Sequence, residues 1–156
     1  MFNFAIDRTD IRNLVEGLHE TAKINRNTVE YELPILKIIT VGWGISYFIG
    51  HAPYKNVLLE IFWEAIREFS QSLSETAKLM AGQDIDYFQT LKDRLNMYVS
   101  AMNENPEAKE PAVIIGPEFA NACGNRDDVF TVMTGSKIFI ATAGSVKEYL
   151  EKVKLR

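Results

Sequence analysis

The chain of 156 residues carries a single cysteine, Cys123, so no internal disulfide can staple it. A lone thiol suits a reducing compartment, and the expected location is cytoplasmic. Only two histidines are present, His19 and His51. The opening MFNFAIDRTD lacks a basic segment followed by an apolar one, so no secretory signal is expected. Neither G-x-x-x-x-G-K-[ST] nor G-x-G-x-x-G occurs, which leaves nucleotide binding without a motif. Lysines and arginines are interspersed with acids, and the net charge is −4; no basic stripe exists to hold nucleic acid. Internal repeats and low-complexity tracts are also missing.

What is present is an ordinary globular composition, 47% hydrophobic and 24% charged, long enough for one domain to bury a core unaided. The apolar residues recur mostly at helical spacing. Ile11, Leu14, Val15, Leu18 and Ala22 make one stripe after Thr9 and Asp10, with Glu16, Glu20 and Lys23 on the other side. Residues 24–28 read as a turn, and Asn27 with Glu30 resembles a capping box for a second helix running to Gly50. Pro34 either kinks that helix or marks its start. Pro53 suits the first position of a third helix, about Tyr54–Met80, which carries a main apolar stripe and a second one of Leu59, Trp63 and Ile66. A fourth helix is expected near Asp84, with Asp86 in its first turn.

Residues 103–111, NENPEAKEP, read as a linker. Beyond them AVIIGPEF and DVFTVMTGSKIFIATAG are rich in β-branched residues. They could pair as strands turning at Gly135 and Ser136, or form buried helix. Ser145 and Glu148 read as the capping box of a final helix. The expected fold is an all-α, single-domain antiparallel bundle of four longer helices with shorter C-terminal helices packed on it. An α+β fold with a small C-terminal β-hairpin is the alternative.

The segment VGWGISYFIG raises a specific question, because glycines weaken a helix. Leu33–Gly50 is the one candidate membrane span, but it is short, contains Lys37 and lacks a basic flank, so a membrane is not the expected partner. Gly42, Ser46 and Gly50 recur every four residues and form a column of small residues. Such a column serves close helix packing, or floors a groove for an apolar or planar ligand beside Trp43 and Tyr47. Gly44 lies off that column.

Catalytic patterns are sparse. Glu16 and His19 form one E-x-x-H pair, whereas carboxylate-bridged metal bundles draw two from different helices. Antiparallel counting brings Glu64 and Glu68 to the height of His19, so Glu16, His19, Glu64 and Glu68 are the candidate metal ligands, with Lys37 available to pair with an acid there. The competing reading is a solvated acidic face. Cys123 reads as a small buried residue rather than a reactive thiol; Gly144, Ser145 and Lys147 could hold an anion at a helix start, but the capping box explains the same residues with less. No particular cofactor is implied. The functional expectation is a non-enzymatic interaction or regulatory module that self-associates through Leu59, Trp63 and Ile66. Two alternatives stand beside it: an apolar-ligand binding protein, and a carboxylate-site metal enzyme.

Overall fold

The computed structural model describes residues 1–18 and 25–153. Among them the chain forms seven helices and no strand: α1 (Phe2–Ile6), α2 (Thr9–Glu16), α3 (Arg26–Phe48), α4 (Lys55–Ala81), α5 (Tyr87–Glu104), α6 (Ala112–Ala122) and α7 (Val129–Lys152). The fold is all-α. The C-terminal hairpin is ruled out, since Gly135 and Ser136 lie inside α7.

α3 is the centre. Val29, Leu33, Ile35, Leu36, Ile38 and Val41 are all buried, although they point in different directions around the helix. A helix apolar on every side must be enclosed, and α3 packs against all six others. Around it α4, α5, α6 and α7 follow in order, each packed on the next, while α1 and α2 also lie on α3. This corrects the expected bundle of four with small additions. α7 is longer than α3, and its contacts with α3 and α6 are the most extensive in the molecule.

The helix ends follow local chemistry. Asn25, not Asn27, caps α3: its side chain accepts the Asn27 N–H at 2.9 Å. The helix then runs through Pro34, which leaves the Glu30 carbonyl without its usual donor. It stops at Phe48, short of Gly50. α4 ends at Gly82, whose left-handed backbone (φ 63°) lets the N–H groups of Gly82 and Gln83 return to the Lys78 and Ala77 carbonyls. Asp86 caps α5 by accepting the Gln89 N–H at 2.9 Å, so Asp84 is not the cap. Residues 105–111 connect α5 to α6.

Asp128 caps α7 by accepting the Thr131 N–H. Ser145 and Glu148 therefore sit within a continuous helix rather than at the start of a short one. That continuity removes the helix N-terminus on which an anion site at Gly144, Ser145 and Lys147 would depend.

The glycines are distributed by contact. A Cβ on Gly42 would stand 2.5 Å from the Trp63 ring, and one on Gly44 3.0 Å from Val146. In the α6–α7 seam a Cβ on Gly116 would meet the Val132 carbonyl at 2.8 Å, and one on Gly135 the Phe119 ring at 2.6 Å. Ser136 Oγ donates across the same seam to the Ala112 carbonyl at 3.2 Å. Helix axes approach this closely only where side chains are missing.

Candidate interaction face

Of the proposed metal ligands, the three that are described, Glu16, Glu64 and Glu68, form no metal-binding group. Glu16 on α2 and Glu68 on α4 are exposed, and Glu64 is ion-paired with Arg67 one turn along its own helix. His19 lies outside the described residues. Among the described residues no group of three or more His, Cys, Asp or Glu side chains could hold a metal ion. Lys37 is not available to those glutamates either. It is buried, donates to Asp10 Oδ1 at 2.9 Å and to the Asp7 carbonyl at 2.8 Å, and lies 4.6 Å from the centre of the Phe4 ring. Three contacts from the start of the chain thus hold a lysine that enters the core from α3.

The column of small residues is divided between two environments. At Gly42 the Trp63 indole fills the space a groove would need. Trp43 stacks on Tyr47 with ring centroids 4.7 Å apart and tilts against Phe139 of α7. Tyr47 and Gly50 are exposed, and Ser46 is half-buried. An apolar depression of about 250 Å³ lies elsewhere, between α1, α3, α4 and α7, with Phe2, Ile45, Leu58, Phe62, Ala65 and Leu150 in its walls. None of Gly42, Trp43, Ser46, Tyr47 and Gly50 lines it.

The interior also holds a polar cluster. Arg94 of α5 clamps Glu32 of α3 with two hydrogen bonds, Nε to Oε2 at 2.8 Å and Nη2 to Oε1 at 2.6 Å. The Glu32 carboxylate is nearly enclosed and the guanidinium is only partly open, so each depends on the other. Burial, reinforced by the Glu32 charge, pushes the Cys123 thiol up to about 12 and holds the Tyr98 phenol well above its ordinary range. Burial likewise raises Tyr87 to about 12. Glu118 of α6 pairs with Arg126 at 2.6 Å. The cavity that Tyr98 lines is about 20 Å³, room for one water and no ligand. These groups tie α3, α5 and α6 together; a site for chemistry needs space beside them.

The surface named for self-association is consumed within the fold. Ile66 is fully buried, and Leu59 and Trp63 are half-buried against the core. Exposed aliphatics occur on α4, at Val57, Ile61, Leu79 and Met80, and along the α6–α7 seam. Val113, Val129, Met133 and Ile140 are 60%, 64%, 49% and 57% exposed. Met133 precedes Ser136 by three residues and Ile140 follows it by four, so these two flank the hydroxyl that reaches α6, and Val129 lies one turn before Met133. Val113 adjoins Ala112, the acceptor of that hydrogen bond. Single exposed aliphatics are common on soluble proteins; here Met133 and Ile140 stand out because they flank one inter-helix hydrogen bond. The 129, 133, 140 spacing was present in the sequence; reading the segment as possible strand obscured it.

By length and composition, α7 is the one described helix apolar enough to cross a membrane, and 39% of its apolar window is buried in the fold. The other candidate, Leu33–Gly50, lies mostly in α3 and is buried from Leu33 to Gly42. No protein-family model, curated protein or solved structure matches the chain.

Proposed function

We propose that the protein is a non-enzymatic helical interaction module that self-associates through the outer face of the α6–α7 hairpin. The observation that carries this reading is the run of Val113, Val129, Met133 and Ile140 left open beside a tightly packed seam. The seam underneath supports it, because Gly116, Gly135 and the Ser136 hydrogen bond hold the two helices as one rigid platform. A reducing, cytoplasmic setting accords with the single buried thiol. The test is a dilution series by analytical ultracentrifugation, with Met133→Glu and Ile140→Glu as variants. Concentration-dependent association that both variants abolish, with unchanged helicity, is the expected result. A monomer at every concentration overturns the reading. So does tight binding of the wild type to neutral phosphatidylcholine vesicles that the same variants remove, because the face would then be a lipid contact.

The apolar depression supports a second reading, in which the module holds a small apolar ligand between α1, α3, α4 and α7. A fluorescent probe such as N-phenylnaphthylamine is expected to bind the wild type and to be excluded by Ala65→Trp. Equal binding to both would remove this reading.

A further inference from the structure

We infer that α7 is crossed by α7 of a second copy of the chain, running antiparallel about a two-fold axis between Ala141 and Gly144. This rests on the self-association reading above and specifies its geometry. At 100° per residue Lys137, Ala141, Gly144 and Glu148 share one stripe of roughly 60° of arc. All four are exposed, and Met133 and Ile140 border the stripe. The pattern is small in the middle and oppositely charged at its ends.

The midpoint between residues 141 and 144 is also the midpoint between 137 and 148. At 1.5 Å per residue, each charge therefore lies about 8 Å from the proposed axis. A two-fold rotation there brings Lys137 level with Glu148 of the second copy, and symmetry makes the pair twice. A parallel copy in register would set lysine against lysine and glutamate against glutamate, so charge selects the antiparallel direction. Lys137 has no acidic partner among the described residues. Glu148 holds Lys152 at 2.8 Å, yet its side chain remains 66% exposed and open to a second cation.

The apolar content of the face and its charges are independent of a third observation. Gly42, Gly44, Gly116 and Gly135 each have a neighbour within 3.0 Å of where a Cβ would stand; Gly144, also inside a helix, has nothing within 4 Å. Within one copy, the weakening that Gly144 brings to α7 is offset by no contact. At an α7–α7 crossing, the missing side chain lets the axes approach and brings Ile140 under the partner helix.

Sedimentation equilibrium of the full chain tests this with Lys137→Glu, Glu148→Lys, the double reversal and Ile140→Glu. Each single reversal is expected to weaken association about tenfold, the two symmetry-related pairs together changing by about 1.4 kcal/mol. The double reversal is expected to restore it. Positions 137 and 148 are about 16 Å apart in one helix, so the rescue has to act between copies. Association lost in Ile140→Glu but unmoved by the reversals keeps the interaction face and overturns the antiparallel crossing. Failure of the double reversal to restore association also overturns the crossing. A wild type that is monomeric throughout overturns the self-association reading itself.

Discussion

Two alanine substitutions in one helix are expected to change stability in opposite directions. Gly135 and Gly144 both lie inside α7, so replacing either by alanine gains about 1 kcal/mol of helix propensity. Their surroundings differ. A Cβ at 135 would stand 2.6 Å from Phe119 Cδ1 and 2.7 Å from Phe119 Cβ. Phe119 is fully buried, and its Cβ is fixed to the α6 backbone, so a rotamer change cannot relieve the clash. Overpacking of this kind falls near the upper end of the usual range, about 3 kcal/mol, leaving a net loss of about 2 kcal/mol. At 144 the new methyl meets nothing within 4 Å, and the gain of about 1 kcal/mol stands alone. For a chain of this length the melting temperature should fall by about 4–8 °C in Gly135→Ala and rise by about 2–4 °C in Gly144→Ala. Both variants are measured by circular dichroism at concentrations too low for self-association. If Gly135→Ala melts at or above the wild type, α6 and α7 do not approach as described.

The same reasoning extends to the polar interior. Arg94→Ala strands a nearly enclosed Glu32 carboxylate and is expected to cost about 3–5 kcal/mol in urea unfolding, whereas Glu32→Leu with Arg94→Leu should recover most of that loss. A single variant costing under about 1 kcal/mol would show the pair to be solvated. Lys37→Met keeps the length of the buried stem and leaves Asp10 free to face water, so it should stay within about 1.5 kcal/mol of wild type; Lys37→Ala opens a cavity and should cost about 2–4 kcal/mol. Equal losses in the two variants would make the ion pair, rather than the stem, the stabilising part.

Alkaline pH acts on the raised acids. The Cys123 thiol and Tyr87 phenol ionise more readily unfolded, near 9 and 10, than folded, near 12. Their contribution is therefore complete below pH 9 and is lost as pH rises toward 12. Cys123→Ala with Tyr87→Phe should flatten that decline, and an unchanged profile would count against burial as its cause. Thiol labelling of the native protein at pH 8 should be slow and become fast in denaturant.

Much of this architecture is written in local sequence, because helix periodicity and terminal capping depend on residues within a turn or two of one another. The positions of α3, α4 and α5 and the break after Glu104 follow from such signals. Helix ends were displaced where two residues could serve as caps, as with Asn25 against Asn27 and Asp86 against Asp84. Sequence alone could say that Gly42 permits close approach, but not that Trp63 is what approaches. Tertiary structure made that choice, because helix order around α3 decides which faces meet. It also decided that the C-terminal segments form one long α7, with Gly135 set against Phe119 of α6. Lys37 turned toward Asp10 rather than the α4 glutamates, because burial of α3 brought the start of the chain over its amine. The α6–α7 face emerged in the same way: any amphipathic pattern marks a surface to be covered, and only the packed fold shows which one is left open.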